Sequence, residues 1–137
     1  MKKKYPWEIH YVTDNGKGKD HEAVFIPGMC DAHTHGLDRF GSLELQVVIS
    51  LPPNLMGYLF NAVGDSIRNG LVLEDGAILS GYFENDIKIK VFKTKDTYGA
   101  PVFRLILPDE KLRFPEESDQ HPYMMQYKSP YISGLSS

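Results

Sequence analysis

Cys30, His33 and His35 bring a thiol and two imidazoles within six residues, flanked by Asp31 and Asp38. Thiolate and imidazole together suit zinc or another borderline-soft divalent ion. If the segment is extended, His33 and His35 point to one face, as two ligands of a single ion should. A closed structural zinc site takes four protein ligands. A fourth here would be His121, Asp31, water or a group from a second subunit. The plainer reading makes Cys30 a small buried hydrophobe and satisfies both histidines with hydrogen bonds in a turn.

A nucleophilic reading pairs Cys30 with His33 or His35 as base and Asp38 or Glu44 as orienter. Neighbours in sequence are seldom arranged as a working triad, and no oxyanion hole is recognisable. Glu44 and Gln46 share one side of a strand, where they either line a cleft beside the histidines or act as buried hydrogen-bonding groups. Between Pro108 and Pro115 the sequence reads as a turn that holds Arg113 against a carboxylate, either as a brace or as a subsite for an anionic ligand.

The elements that must position these residues follow from periodicity. Trp7 to Thr13 mixes aromatic and β-branched residues and reads as a strand. The turn residues Asp14 to Gly18 and a short strand over Glu22 to Ile26 complete an expected hairpin. In Leu43 to Ser50, Leu43, Leu45, Val47 and Ile49 fall on one face and Glu44, Gln46 and Val48 on the other. Pro52 and Pro53 suit a helix start. Met56, Phe60, Val63 and Ile67 then recur at helical spacing, and Gly70 suits a C-terminal cap, predicting a helix from Pro52 to Asn69. Further strands are expected over Ile78 to Phe83, over Ile87 to Val91 with one wet face, and over Val102 to Leu107. Residues 116–137 read as a largely irregular tail. The expected fold is α+β: a mostly antiparallel sheet of five or six strands with one main helix packed on it. The step from Leu43–Ser50 across the helix to Ile78–Phe83 is a candidate βαβ unit.

The chain of 137 residues has the size of one domain, and its 42% hydrophobic and 24% charged residues are ordinary for a globular protein. A net charge of −3 argues against a nucleic-acid binder, which is usually basic. The single cysteine excludes an internal disulfide. Pro6 and Glu8 interrupt any apolar region after the basic start. No stretch approaches the ~18 apolar residues of a membrane span. A cytoplasmic location and no membrane association are expected.

Two resemblances follow from motifs. Val24 to Gly36, containing Asp31-Ala32-His33-Thr34-His35 after Pro27-Gly28, resembles the strand that opens the metal site of amidohydrolases. That site needs a (β/α)₈ barrel of at least about 200 residues. Only about 100 residues follow His35, and His121 is the one histidine among them, so this reading is rejected. Thr34-His35-Gly36-Leu37, Gly41, Glu44-Leu45, Leu51-Pro52-Pro53, Gly70, Gly76 and Gly81-Tyr82 come in order. With Leu105 to Asp109 and Arg113-Phe114-Pro115, they resemble the uncharacterised family catalogued as domain of unknown function 4262. Leu43 stands where that family often has proline, Leu112 where it often has glycine, and His33 where many members carry an aromatic residue. The resemblance implies a fold family and no activity.

Two functional expectations remain. One is a binding or protein-interaction module, with a homo-oligomer as one form it could take. The other is a small metal-dependent hydrolase-like enzyme with a divalent ion such as zinc at Cys30, His33 and His35.

Overall fold

A computed structural model describes residues 5–13, 25–96 and 98–132. Six strands form one sheet: β1 (Glu8–Val12), β2 (Met29–His35), β3 (Glu44–Ile49), β4 (Ile78–Leu79), β5 (Ile89–Lys95) and β6 (Pro101–Ile106), in the order β1-β2-β3-β6-β5-β4. The single α-helix among the described residues, α1 (Pro53–Arg68), follows β3. The fold is therefore α+β, with every strand pair antiparallel except β3 and β6.

Helix α1 starts with Pro53 at its first position, where the missing N–H leaves no intrahelical bond unmade. Its stripe of Met56, Leu59, Phe60, Val63 and Ile67 is buried. It faces Ala32, Leu45, Val47, Ile89, Val91 and Leu105 in one core. Burial of each large aliphatic or aromatic side chain there contributes about 1.5–3 kcal/mol. Trp7 lies across the helix at Gly64, where an added Cβ would stand 2.6 Å from its ring. Its indole N–H donates to Asn61 Oδ1.

Three local expectations change. The partner of β1 is β2, in the register Glu8↔His35 to Val12↔Asp31, rather than Glu22–Ile26. Residues 22–24 of that expected strand lie outside the described residues. Phe25 makes an isolated bridge to Tyr131. The observed register sets Ile9 and Tyr11 beside Ala32 and Thr34 on the core side, which gives β1 an apolar face to bury. The expected strand Ile78–Phe83 ends after Leu79. Gly81, Asn85 and Asp86 take positive φ. The Tyr82 hydroxyl donates to Ser66 Oγ on α1, and the Tyr58 hydroxyl donates to the Tyr82 carbonyl. Finally, α1 carries the chain past two positions to the far edge, so β4 never touches β3. The meander β4-β5-β6 returns, and β6 becomes the parallel neighbour of β3.

The tail runs under the outer face of the sheet in two short 3₁₀ turns, Pro115–Glu117 and Tyr123–Met125. Gln126, fully buried, pairs with both the N–H and the C=O of Leu107 and so satisfies the backbone just beyond β6. Phe92 packs edge-on against Tyr127. The Lys90 ammonium donates to Glu116 and to the Tyr127 hydroxyl.

Candidate functional site on the outer sheet face

Alternation along β2 separates the expected metal cluster. Cys30 is fully buried on the helix side, where its thiol contacts the carbonyls of Val47 and Ile49. Burial pushes that thiol up to about 12, far from a thiolate at neutral pH. His33 and His35 lie on the opposite face with Asp31. Cys30, His33 and His35 therefore do not form one site, and the Cys30 nucleophile loses both of its bases. The physical reason is the period of two: residues 30 and 33 differ by an odd number, and an extended strand sends them to opposite faces. His121 is also distant. Its Nε2 lies 2.7 Å from the Pro27 carbonyl, in the turn before β2, at the opposite end of that strand from His33 and His35.

A histidine from another strand takes the place of Cys30. His10 on β1 is in register with His33; their rings stack with centroids 5.3 Å apart and planes 7° apart. His10 also meets His35 edge-on at 5.9 Å. Glu8, opposite His35 in register, approaches His10 Nε2 at 3.3 Å. Glu8 and His35 continue into an open cleft of about 380 Å³ whose wall includes Tyr5, Trp7, Asp38 and Arg39.

Beneath this patch a row of facing side chains crosses five strands, through the registers His10↔His33, His33↔Gln46, Gln46↔Arg104 and Arg104↔Phe92. Arg104, only 3% exposed, donates from Nε to Gln46 Oε1 at 2.8 Å. Gln46 donates from Nε2 to Asp31 Oδ1 at 3.2 Å, and Asp31 faces His33 Nδ1 at 3.4 Å. The tail closes the row. Tyr131 donates its hydroxyl to Asp31 Oδ2, while Arg104 Nη1 donates to the carbonyls of Gln126 and Lys128. Burial works to raise the Asp31 carboxyl, but the hydrogen bonds from His33 and Gln46 outweigh it and the net shift is downward. The hydrogen bond to Asp31 raises His33 against the opposing effect of burial. Burial lowers Arg104 to about 10, which leaves it a cation at neutral pH. An Asp31 that receives Nδ1–H leaves His33 Nε2 for a ligand.

The other expected site residues have structural partners. One carboxylate, Glu44, accepts from the Thr34 hydroxyl and from the backbone N–H groups of Gly36, Leu37 and Asp38. Thr34 Oγ1 in turn accepts the Leu45 N–H. Glu44 thus clamps the turn after β2 rather than facing the cleft. Gly36, at φ 124°, brings that turn so close to β1 that an added Cβ would stand 3.1 Å from the Pro6 carbonyl and Trp7 Cα. Arg113 donates to Asp109 at 2.9 Å and to Asp119 at 2.7 Å, bracing the turn before the tail. Asp31 and Gln46 belong to the buried row, and Asp38 reaches the cleft.

Sequence reasoning missed His10, Arg104 and Tyr131. Arg104 had a visible signal, a lone cation between Val102 and Ile106 on the second face of an otherwise apolar strand. His10 had one in the polar face Glu8-His10, although nothing local says which strand lies beside it.

Comparison with protein-family models, curated proteins and solved structures returned no match. Among the described residues, no helix is long and apolar enough to cross a membrane.

Proposed function

We propose that this protein is a small-ligand binding module whose recognition surface is the outer-face patch of His10, His33 and His35. The observation that carries the proposal is the buried row Arg104–Gln46–Asp31, which ends on one partly exposed imidazole. Burying an arginine and an aspartate is costly unless each is fully hydrogen-bonded, and an apolar face would have held the tail at less cost. Here the buried polar groups meet the His33 ring at Nδ1, 3.4 Å from Asp31 Oδ1, and the side chain is 36% exposed. An imidazole held in this way recognises an anion when protonated and a metal ion when neutral.

The kinship with domain of unknown function 4262 forms part of the same proposal. Thr34, Gly36, Leu37 and Glu44, which carry much of the resemblance, bond to one another in a single clamp, which supports treating them as one motif. Leu112, where that family often has glycine, has φ 63°, a conformation glycine adopts without steric cost.

The test is ¹⁵N NMR of the histidine side chains, titrated separately with sodium acetate, inorganic phosphate and zinc chloride. At least one of the three should shift His33 saturably, together with His10 or His35, and His33→Ala should abolish the response with the fold retained. No saturable shift with any of them would contradict the proposal.

A further inference from the structure

The register between β1 and β2 points to a more specific ligand. We propose that His10, His33 and His35 form a three-imidazole site for a divalent transition ion of the zinc class, with the Glu8 carboxylate beside it. This rests on the outer-face patch being the binding surface and adds the identity of what it binds.

Four observations support it. His33 and His35 are two residues apart on one strand, so both project from the same face. His10 is directly across from His33, which adds a third imidazole from the neighbouring strand without a long loop. The rings are also neighbours, with centroids 5.3 Å apart for His10 with His33 and 5.9 Å for His10 with His35. Finally, Asp31 at His33 Nδ1 is the outer carboxylate that commonly orients a metal-bound histidine and fixes its tautomer.

The three rings do not already converge. Among the described residues no group of three or more ligating side chains is arranged to hold an ion. Binding requires His10 to turn out of its stack on His33 and to exchange its Glu8 contact for the ion. Its side chain is 49% exposed, and the turn gives up its ring contacts with His33 and His35. Three neutral nitrogens with an adjacent carboxylate favour a borderline ion such as zinc over magnesium or calcium, which prefer oxygen ligands.

The experiment is isothermal titration of zinc chloride into the full, untagged chain after removal of metal by chelator, with magnesium chloride as the control. Expected are about one zinc per chain, as a single tetrahedral site requires, and no magnesium binding. His10→Ala, His33→Ala and His35→Ala should each weaken zinc binding by on the order of tenfold or more, and Cys30→Ala should leave it unchanged. Thermal unfolding of each variant confirms that it folds. Absence of saturable zinc binding would overturn the inference, as would loss in Cys30→Ala with none in His10→Ala. Half an ion per chain would place the ion between two copies and also overturn it. If phosphate or acetate shifts His33 while zinc fails to bind, the binding patch stands and the metal assignment fails. If none of them acts at His33, both fail.

Discussion

Glu44 shows how a residue that could do chemistry is committed to structure. Its carboxylate accepts a hydroxyl and three backbone N–H groups in the turn after β2, so the turn's amides find their acceptor in one side chain. In Glu44→Gln the charge is lost and an NH₂ group faces donors. Hydrogen bonds to charged groups are worth about 1.5–3 kcal/mol, and Glu44→Gln is expected to cost about that much stability in urea unfolding. A change below about 0.5 kcal/mol, the usual range of an uninvolved surface site, would show that the clamp is not important. The sequence marked Glu44 as a candidate because it sits beside the histidines. It could not show that the carboxylate was already occupied, because its partners are backbone amides that any residue type supplies. The same limit applies to Cys30, whose reactive identity was legible but whose face depended on the segment being a strand. Once β2 is a strand, alternation alone separates Cys30 from His33.

Among the elements, α1 and β3 were readable from their own periodicity, and β5 and β6 nearly so. The pairing of β1 was not, because the turn signals Asp14 to Gly18 suggest a local hairpin, whereas the partner is set by which strand offers matching apolar and polar faces. β4 was overestimated because Tyr82 and Phe83 look like strand residues until their contacts with α1 are known. The segment from Pro108 to Pro115 reads in sequence as a turn that holds Arg113 against a carboxylate, as a brace or an anionic-ligand subsite, and Arg113 indeed bonds to Asp109 and Asp119. Burial would raise the Asp109 carboxyl, but hydrogen bonds from Ser118, the Arg113 side chain and the N–H groups of Lys111 and Arg113 lower it to about 2. An unfolded aspartate titrates near 3.9. A folded value below the unfolded one gives stability that is complete above about pH 4 and is lost as pH falls toward about 2. Asp109→Asn should therefore be less stable than the wild type at neutral pH, with the two urea midpoints converging as pH approaches 2. Parallel curves across that range would show that the carboxylate charge does not stabilise the turn.

For the molecule as a whole, one sheet buries two unlike faces. The helix side is apolar and was legible from alternation. The tail side is built on a polar row that begins at the tail carbonyls of Gln126 and Lys128, crosses through Arg104 and Gln46 to Asp31, and ends at His33. No periodic signal marks it, because its members are spread over three strands and an irregular segment. Everything proposed for the patch depends on this row holding His33 with Nδ1 toward Asp31. The ¹⁵N shift pattern of the His33 ring in the ligand-free protein, at a pH high enough for the ring to be neutral, reads that directly. A proton on Nδ1 is expected in the wild type, with loss of that tautomer's dominance in Asp31→Asn. A wild-type His33 that carries its proton on Nε2 would show that Asp31 does not set the ring.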